Sequence, residues 1–396
     1  MRVLFWLYMG LDVHSTSGHL IMSMIRQVLN KGNDVTVISK NTGGNDYKYI
    51  EELKKLGVHF YSVKLKKTSK SNFAMRYLAE LKYTHDSSKI IKKGYFDSVF
   101  IQSNIAAGFS VRNVLKRCPN ARITYNVQDV YPQDVMYAGK IGKNNPAYRI
   151  MSFIQSYAYK RSDVVITISE DMKDLIVSNG SSSEKTIVIY NWSYHDELFD
   201  MNDISPKISN LFDNNYFNIV YAGNIGLFQN VDVVIDVAER MKGESEFWFH
   251  IFGSGIYKEK LEYRTKELGI ENITFHPIQP HELAPSIYAS ASVNLIPLGE
   301  NQYKAALPSK TATCLACQKP IVFIIGTHSK FGKRIKSETN CPVLDFNDVD
   351  GVVNSIREIK NGSISINTKQ FYYDNCSITK NSLLYAEIIL GEKDKI

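Results

Sequence analysis

Twice along this 396-residue chain a short apolar run ends on a glycine-bearing polar loop, a helix with one apolar face follows, and a new apolar run begins. That rhythm restricts the fold more than any single residue does. The first round reads RVLFWLY, GLDVHSTSGH, LIMSMIRQVLNKG and DVTVIS, and runs of the same kind recur at FDSVFIQ, ARITYNV and DVVITIS. Apolar runs bounded by turn residues are buried strands, and the helical spacing that follows them stops at glycine. Two strands joined through a helix lie parallel, because that crossover is right-handed. A second round starts at FNIVYAGNIG and continues through VDVVIDVAERMKG, FWFHIFGSG, KEKLEYRTKELG, ITFHPI, HELAPSIYAS, SVNLIPL, SKTATCLACQ and KPIVFIIG. The expectation is an α/β protein of two doubly wound, Rossmann-like parallel-sheet halves, with ligands met beyond the carboxyl ends of the strands, in a cleft where the halves face. The polar, aperiodic stretch NWSYHDELFDMNDISPKISNLFDNNY is expected to hold the boundary. This divides the chain into residues 1–200, 201–375 and a last segment, 376–396, whose helical spacing in NSLLYAEIILGE suits a return to the first half.

Length alone allows two domains at roughly 150 residues each. Hydrophobic residues make up 44% and charged residues 22%, which favours a folded, core-bearing chain over a disordered one. The opening run MRVLFWLYMG has no charged leader and no small-residue cleavage site, so it reads as a strand rather than a signal peptide. No window approaches the roughly 20 apolar residues of a membrane span. Five cysteines, an odd number in a chain read as unsecreted, imply reduced thiols. The net charge of +7 hides two unlike halves: residues 1–195 carry 27 Lys and Arg against 15 Asp and Glu, and the rest 20 against 25. The basic half suits a nucleic acid, an anionic membrane surface or a phosphorylated substrate; ordinary solvated lysines are the alternative.

Four stretches place chemistry at strand ends. STSGHL carries Gly18 between the first strand and first helix, where free amides and the helix dipole favour a phosphate, though turn geometry alone also accounts for a glycine there. NVQDVYPQD puts Asn126, Gln128, Asp129 and Tyr131 after the strand ARITY, as a substrate-binding cluster or as a turn stopped by Pro132. YAGNIGLFQN and FGSG, with Gly223, Gly226 and Gly253, form loops whose amides suit an anion. Neither matches the dinucleotide or ATPase phosphate fingerprint, so a dehydrogenase or ATPase is disfavoured while a nucleotide-sugar diphosphate stays open. In LPSKTATCLACQ, Ser309 is expected to cap a helix and Lys310 to neutralise a diphosphate leaving group, unless it is a surface lysine. Cys314 and Cys317 sit inside that helix without a second CxxC or an HxxxH, so they read as buried packing rather than metal or redox groups.

Together, STSGH, VQDVYPQD, YAGNIGLFQNVD and LPSKTATCLACQKPIV resemble the family 4 glycosyltransferases of GT-B architecture. Within them, the chain is similar to the bacterial surface-polysaccharide branch that includes N-acetyl-fucosamine transferases. The resemblance implies two Rossmann-like domains facing across a cleft, and a retaining, metal-independent hexosyl transfer from a UDP-sugar, with no cofactor. It implies acceptor binding in the first half and donor binding in the second. By position, Asp129 and Lys310 take the catalytic roles, with Gln128 and Tyr131 on the acceptor. Gly18, Gly223, Asn224, Gly253, Ile278, Glu282, Lys304, Ser309 and Thr313 fall to the donor. Pro277 and Ile278 match the base-recognition segment; Glu282 holds ribose or caps the next helix. Relatives often carry Arg and Lys where this chain has Asn224 and Gln229, and a Glu where it has Thr313. Lys310, with Lys304, is then expected to supply the missing charge. The implied partners are a UDP-sugar, a polyprenyl-diphosphate-linked or glycan acceptor, and an anionic membrane face docked by KLKKTSK (64–70) and IIKKGYF (90–96), with no nucleic acid. The implied location is the cytoplasm, peripheral at the inner face of the membrane. A non-catalytic GT-B subunit and a UDP-sugar epimerase are the competing readings.

Overall fold

Each apolar run of the sequence folds as a strand, and all pairings between strands are parallel. The computed structural model describes residues 1–13, 17–65, 73–137, 139, 141–193, 198–226 and 229–394. The chain divides into unit 1, Met1–Tyr190 with Thr379–Ile396, and unit 2, Asn191–Ile378.

Unit 1 contains β1 (Arg2–Gly10), β2 (Asp34–Asn41), β3 (His59–Lys64), β4 (Ser98–Gln102), β5 (Arg122–Val127), β6 (Val164–Thr167) and β7 (Thr186–Val188), in the order β3-β2-β1-β4-β5-β6-β7. Because the order reverses between β1 and β4, right-handed crossovers cover both faces of the sheet with helices. The central strands are therefore apolar on both sides: Val3, Leu4, Phe5, Trp6 and Leu7 are all fully buried.

Unit 2 repeats the plan with β8 (Phe217–Ala222), β9 (Phe247–Phe252), β10 (Ile273–His276), β11 (Val293–Pro297), β12 (Ile321–Ile324) and β13 (Val343–Leu344), ordered β10-β9-β8-β11-β12-β13. Its core joins these strands to the apolar faces of the helices Asp232–Arg240 and Val349–Lys360, through residues such as Val234, Ala238 and Ile356.

Three edge strands, β3, β7 and β13, carry no sequence signal. β3 is largely exposed, and β7 and β13 are three and two residues long, too short to show a period. The polar stretch after Tyr190 belongs to unit 2, and its described part is packed rather than extended. Trp192 and Ile208 are buried, and the Phe199 amide donates to the Ala316 carbonyl at 3.0 Å. Its apolar residues are spaced too irregularly for periodicity to reveal them.

The helix Ile378–Leu390 packs in unit 1. The Ser98 hydroxyl donates to the Ile389 carbonyl at 2.6 Å and Arg122 Nε to the Ile388 carbonyl at 2.8 Å. Asn381 Nδ2 donates to the Tyr190 carbonyl at 2.9 Å, and the buried Tyr385 hydroxyl donates to Asn126 Oδ1 at 3.0 Å. No helix among the described residues is long and apolar enough to cross a membrane.

Candidate active site

In unit 2 the strand order reverses between β8 and β11, the point at which such sheets bind their ligands. β8 delivers Tyr221, then the turn Gly223 and Asn224, while the chain leaving β11 delivers Lys304 and Lys310. Gly223 has φ +150° and its amide donates to the Phe252 carbonyl at 2.9 Å. Gly253, with φ +155°, lies so close that a Cβ there would overlap the Gly223 carbonyl oxygen. Gly253 is required because the loops after β8 and β9 are pressed together there, and Gly223 because of its positive φ. Behind them, Lys258 Nζ donates to the carbonyls of His276 at 2.9 Å and Gly253 at 3.3 Å. The His276 ring stacks on Phe252 with centroids 4.1 Å apart and shares a 3.0 Å hydrogen bond with His250.

Lys310 is the distinctive group of this loop cluster. Its ammonium is buried, lies 3.8 Å from the centroid of the Tyr221 ring, and has no hydrogen-bond partner among the described residues. A Cβ on Gly223 would stand 2.8 Å from Lys310 Nζ, so the glycine also makes room for the cation. Burial pushes Lys310 down to about 7. A buried cation without an anion is costly, and an incoming phosphate removes that cost. Gln302 Nε2 and Thr311 Oγ1, in the same connecting segment, are likewise buried without partners among the described residues.

The other donor-side candidates divide. Asn224 Nδ2 donates to Gln229 Oε1 at 3.1 Å, so the two amides at the positions where a basic pair was missed bond to each other. Lys304 Nζ donates to Asn301 Oδ1 at 3.1 Å. Thr313 is buried inside the helix Thr311–Ala316. Ile278 is 69% exposed beside the exposed Pro277, and the exposed Glu282 sits in the 3-10 turn His281–Leu283. The cap expected from Ser309 is corrected: Ser309 is exposed, Lys310 occupies the cap position, and no side chain caps this helix. The chain turns first at Pro308, whose carbonyl accepts from the Thr311 amide at 3.0 Å, so the helix begins at Thr311 with its cap one residue beyond Ser309. With six residues, that helix has too little dipole to hold an anion by itself. Cys314 and Cys317 are fully buried free thiols. Burial raises both, Cys317 to about 12, and its thiol donates to the Pro285 carbonyl. Neither is a thiolate at neutral pH, and no three His, Cys, Asp or Glu side chains group as a metal site among the described residues.

In unit 1 Gly18 begins the helix Gly18–Asn30, and a Cβ there would overlap the Tyr49 ring, so packing alone requires the glycine. The preceding residues 14–16 lie outside the described residues. The polar cluster follows β5. Asn126 Oδ1 accepts from Gln128 Nε2 at 3.3 Å and from Tyr385. Asp129 is raised by burial to about 6, and the Tyr131 phenol is pushed well above its ordinary value by burial and by Asp129, Asp134 and Glu80. Sequence reasoning missed what surrounds this loop. Lys40, near the end of β2, is buried, forms an ion pair with the half-buried Glu80 and stands 5.4 Å from the ring centroids of both Tyr8 and Tyr83. Glu80 Oε2 has no partner among the described residues. The signal in the sequence was a lysine directly after the run DVTVIS. A carboxyl that titrates near 6 beside such a network can exchange a proton with a bound hydroxyl.

Comparison with known proteins bears on the family and the fold. Residues 17–192 match the family of glycosyl transferase 4-like domains, and residues 204–371 match glycosyl transferases group 1. A protein of Escherichia coli K12 named as a colanic acid biosynthesis glycosyl transferase, WcaI, is 28% identical over 62% of this chain and 61% of its own length. WbjE of Pseudomonas aeruginosa, named as a glycosyltransferase, is 24% identical over 60% of each chain. This chain thus spans about three-fifths of the curated relatives it matches. Among solved structures, Anabaena Alr3699/HepE in complex with UDP-glucose is similar with a TM-score of 0.70 at 14% identity, covering 99% of this chain and 100% of that one. WaaG, a glycosyltransferase involved in lipopolysaccharide biosynthesis, has a TM-score of 0.67 at 14% identity, covering 98% of this chain and 100% of its own. With two parallel-sheet units, glycine loops at both strand ends and these two domain matches in order, the chain belongs to the family 4 glycosyltransferases of GT-B architecture.

Proposed function

We propose that this protein is a retaining, metal-independent hexosyltransferase that moves a sugar from a UDP-sugar to a lipid-linked or glycan acceptor in cell-surface polysaccharide biosynthesis. The observation that carries the reading is the buried Lys310 ammonium beside the Gly223 turn, without a hydrogen-bond partner among the described residues. A buried cation with no anion beside it among the described residues, at the switch point of a doubly wound sheet, suits a diphosphate. In this reading unit 2 binds the donor, with Gly223, Asn224, Gly253, Lys304 and Lys310 toward the diphosphate and Ile278 and Glu282 toward the nucleoside. Lys310 stabilises the charge on the leaving diphosphate, whose oxygen takes the acceptor proton on the same face. Unit 1 binds the acceptor, with Gln128 and Tyr131 holding it and Asp129 near the reacting hydroxyl. The UDP-containing complexes of the Anabaena neighbour support the choice of nucleotide. The colanic acid biosynthesis in the name of the Escherichia coli relative and the lipopolysaccharide biosynthesis of WaaG support polysaccharide assembly over the narrower likeness to N-acetyl-fucosamine transferases.

A polyprenyl-diphosphate acceptor places the enzyme at the cytoplasmic membrane face. Of the basic clusters expected to dock there, residues 66–70 of KLKKTSK lie outside the described residues, while Lys92 and Lys93 are exposed. A second feature supports docking. On the helix Pro146–Arg161, Ile150 is 60% and Phe153 74% exposed beside the exposed Arg149, and the packed helix Ala107–Arg117 adds Phe109 and Arg112. Exposed aromatic and aliphatic side chains among arginines suit an anionic interface.

The purified chain, given a panel of UDP-sugars and a short polyprenyl-diphosphate-sugar acceptor, should release UDP and form an α-linked product from an α-linked donor. Absence of both turnover and UDP binding would leave the non-catalytic subunit, and product from the donor alone would show an epimerase.

A further inference from the structure

Tyr221 is the penultimate residue of β8, and it is fully buried. It touches both components of the loop cluster above it. Its ring carries the Lys310 ammonium at 3.8 Å, well inside the roughly 6 Å range of a cation–π contact. Its hydroxyl donates to the Asn224 carbonyl at 2.6 Å, holding the turn that begins at Gly223. Lys310 fills the volume that a side chain on Gly223 would need, so cation and turn share one space. The ionisable groups around the seat are uncharged at neutral pH. Burial raises Tyr221 on β8, Cys314 on the helix of Lys310, and Tyr288 on the helix Ala284–Ser290, whose hydroxyl donates to the Ala222 carbonyl. Among the described residues no carboxylate pairs with Lys310, and the Tyr221 ring is the contact that locates its ammonium.

We propose that Tyr221 is a positioning residue for the donor: its ring seats Lys310, its hydroxyl ties that seat to the Asn224 turn, and an arriving nucleoside diphosphate draws a proton from solvent onto Lys310 at a place already fixed. This rests on the reading of unit 2 as the donor side. No bond in the ligand forms or breaks; the Lys310 lone pair takes the proton. With Lys310 at about 7, most free molecules hold it neutral at pH 8, and an anion beside the ammonium favours the protonated form.

The test is calorimetry of the full chain with UDP and, separately, GDP, in two buffers of unlike ionisation enthalpy, at several pH values between 6 and 9. The wild type should take up close to one proton per diphosphate at pH 8, and its affinity should fall by up to tenfold per pH unit above 7. Lys310→Met should abolish the uptake. Tyr221→Phe keeps the ring and frees the turn, so uptake should persist while affinity drops several-fold. Tyr221→Leu, checked for folding by circular dichroism, should lose about tenfold and much of the uptake, because water reaching the seat returns Lys310 toward its ordinary value. Wild-type affinity in Tyr221→Phe, or binding by the wild type without proton uptake, overturns the proposal. If GDP shows this signature and UDP does not bind, the positioning role stands and the uridine reading falls; if neither binds, both fall.

Discussion

Lys310 and the cysteine pair a few residues beyond it respond in opposite ways to substitution. Lys310→Ala should lower turnover about a hundredfold, since removing one preorganised charge stabiliser costs that order. Replacing Cys314 and Cys317 together by Ala should leave the rate per folded molecule within a few-fold, because both thiols are protonated and only pack. Steady-state rates on folded protein check both. Asp129 gives a pH signature. Its carboxyl is raised in the folded state, so the folded chain binds its proton more tightly, and its contribution to stability falls as pH rises from about 4 through about 6. Asp129→Asn should therefore stabilise the protein at pH 8, on the order of 1 kcal/mol, and lose that gain near pH 4, while turnover drops. Urea unfolding at the two pH values, set beside rates, decides it. At this scale the sequence announced the glycines and Lys310, because glycine loops and a lysine after a strand are local facts. Tyr221, Lys40 and Glu80 were not announced. Each earns its role from a partner distant in the chain, and a tyrosine in a buried strand looks like any other core residue.

At the level of elements, the central strands were legible because burial on both faces leaves unbroken apolar runs, as in β1 and β8. Three of the four edges were not, since β3 is largely exposed and β7 and β13 are too short for a pattern, whereas the edge strand β10 was read from ITFHPI. One element carries a pH dependence of its own. His250 and His276, stacked between β9 and β10, are held by burial at about 3 and about 4. Unfolded histidines bind protons near 6.5, so this stabilisation is whole above that value and is lost as pH falls toward 4. Unfolding midpoints should drop on acidification from pH 7.5 to 5, and His276→Gln should flatten that slope. The comparison is best made in the Asp129→Asn background, which removes the opposite slope of that carboxyl.

For the whole molecule, charge asymmetry and exposed aromatics bear on location. Vesicles containing about a third anionic lipid should sediment the wild type at low salt and release it in 1 M salt, where the screening length is roughly 3 Å. Phe153→Asp should weaken binding several-fold without changing UDP affinity, and an unchanged sedimentation would remove that helix from the docking surface. The return helix has a different consequence, one of timing. Ser98, Arg122 and Asn126 bond to residues some 260 to 290 positions later. On the ribosome the first unit is therefore left open along one flank while the second is made, and unit 2 has emerged before the first sheet receives its last helix. A truncation before Thr379 should thus release an intact second unit beside a first that is prone to proteolysis, although every lost residue lies at the far end of the chain.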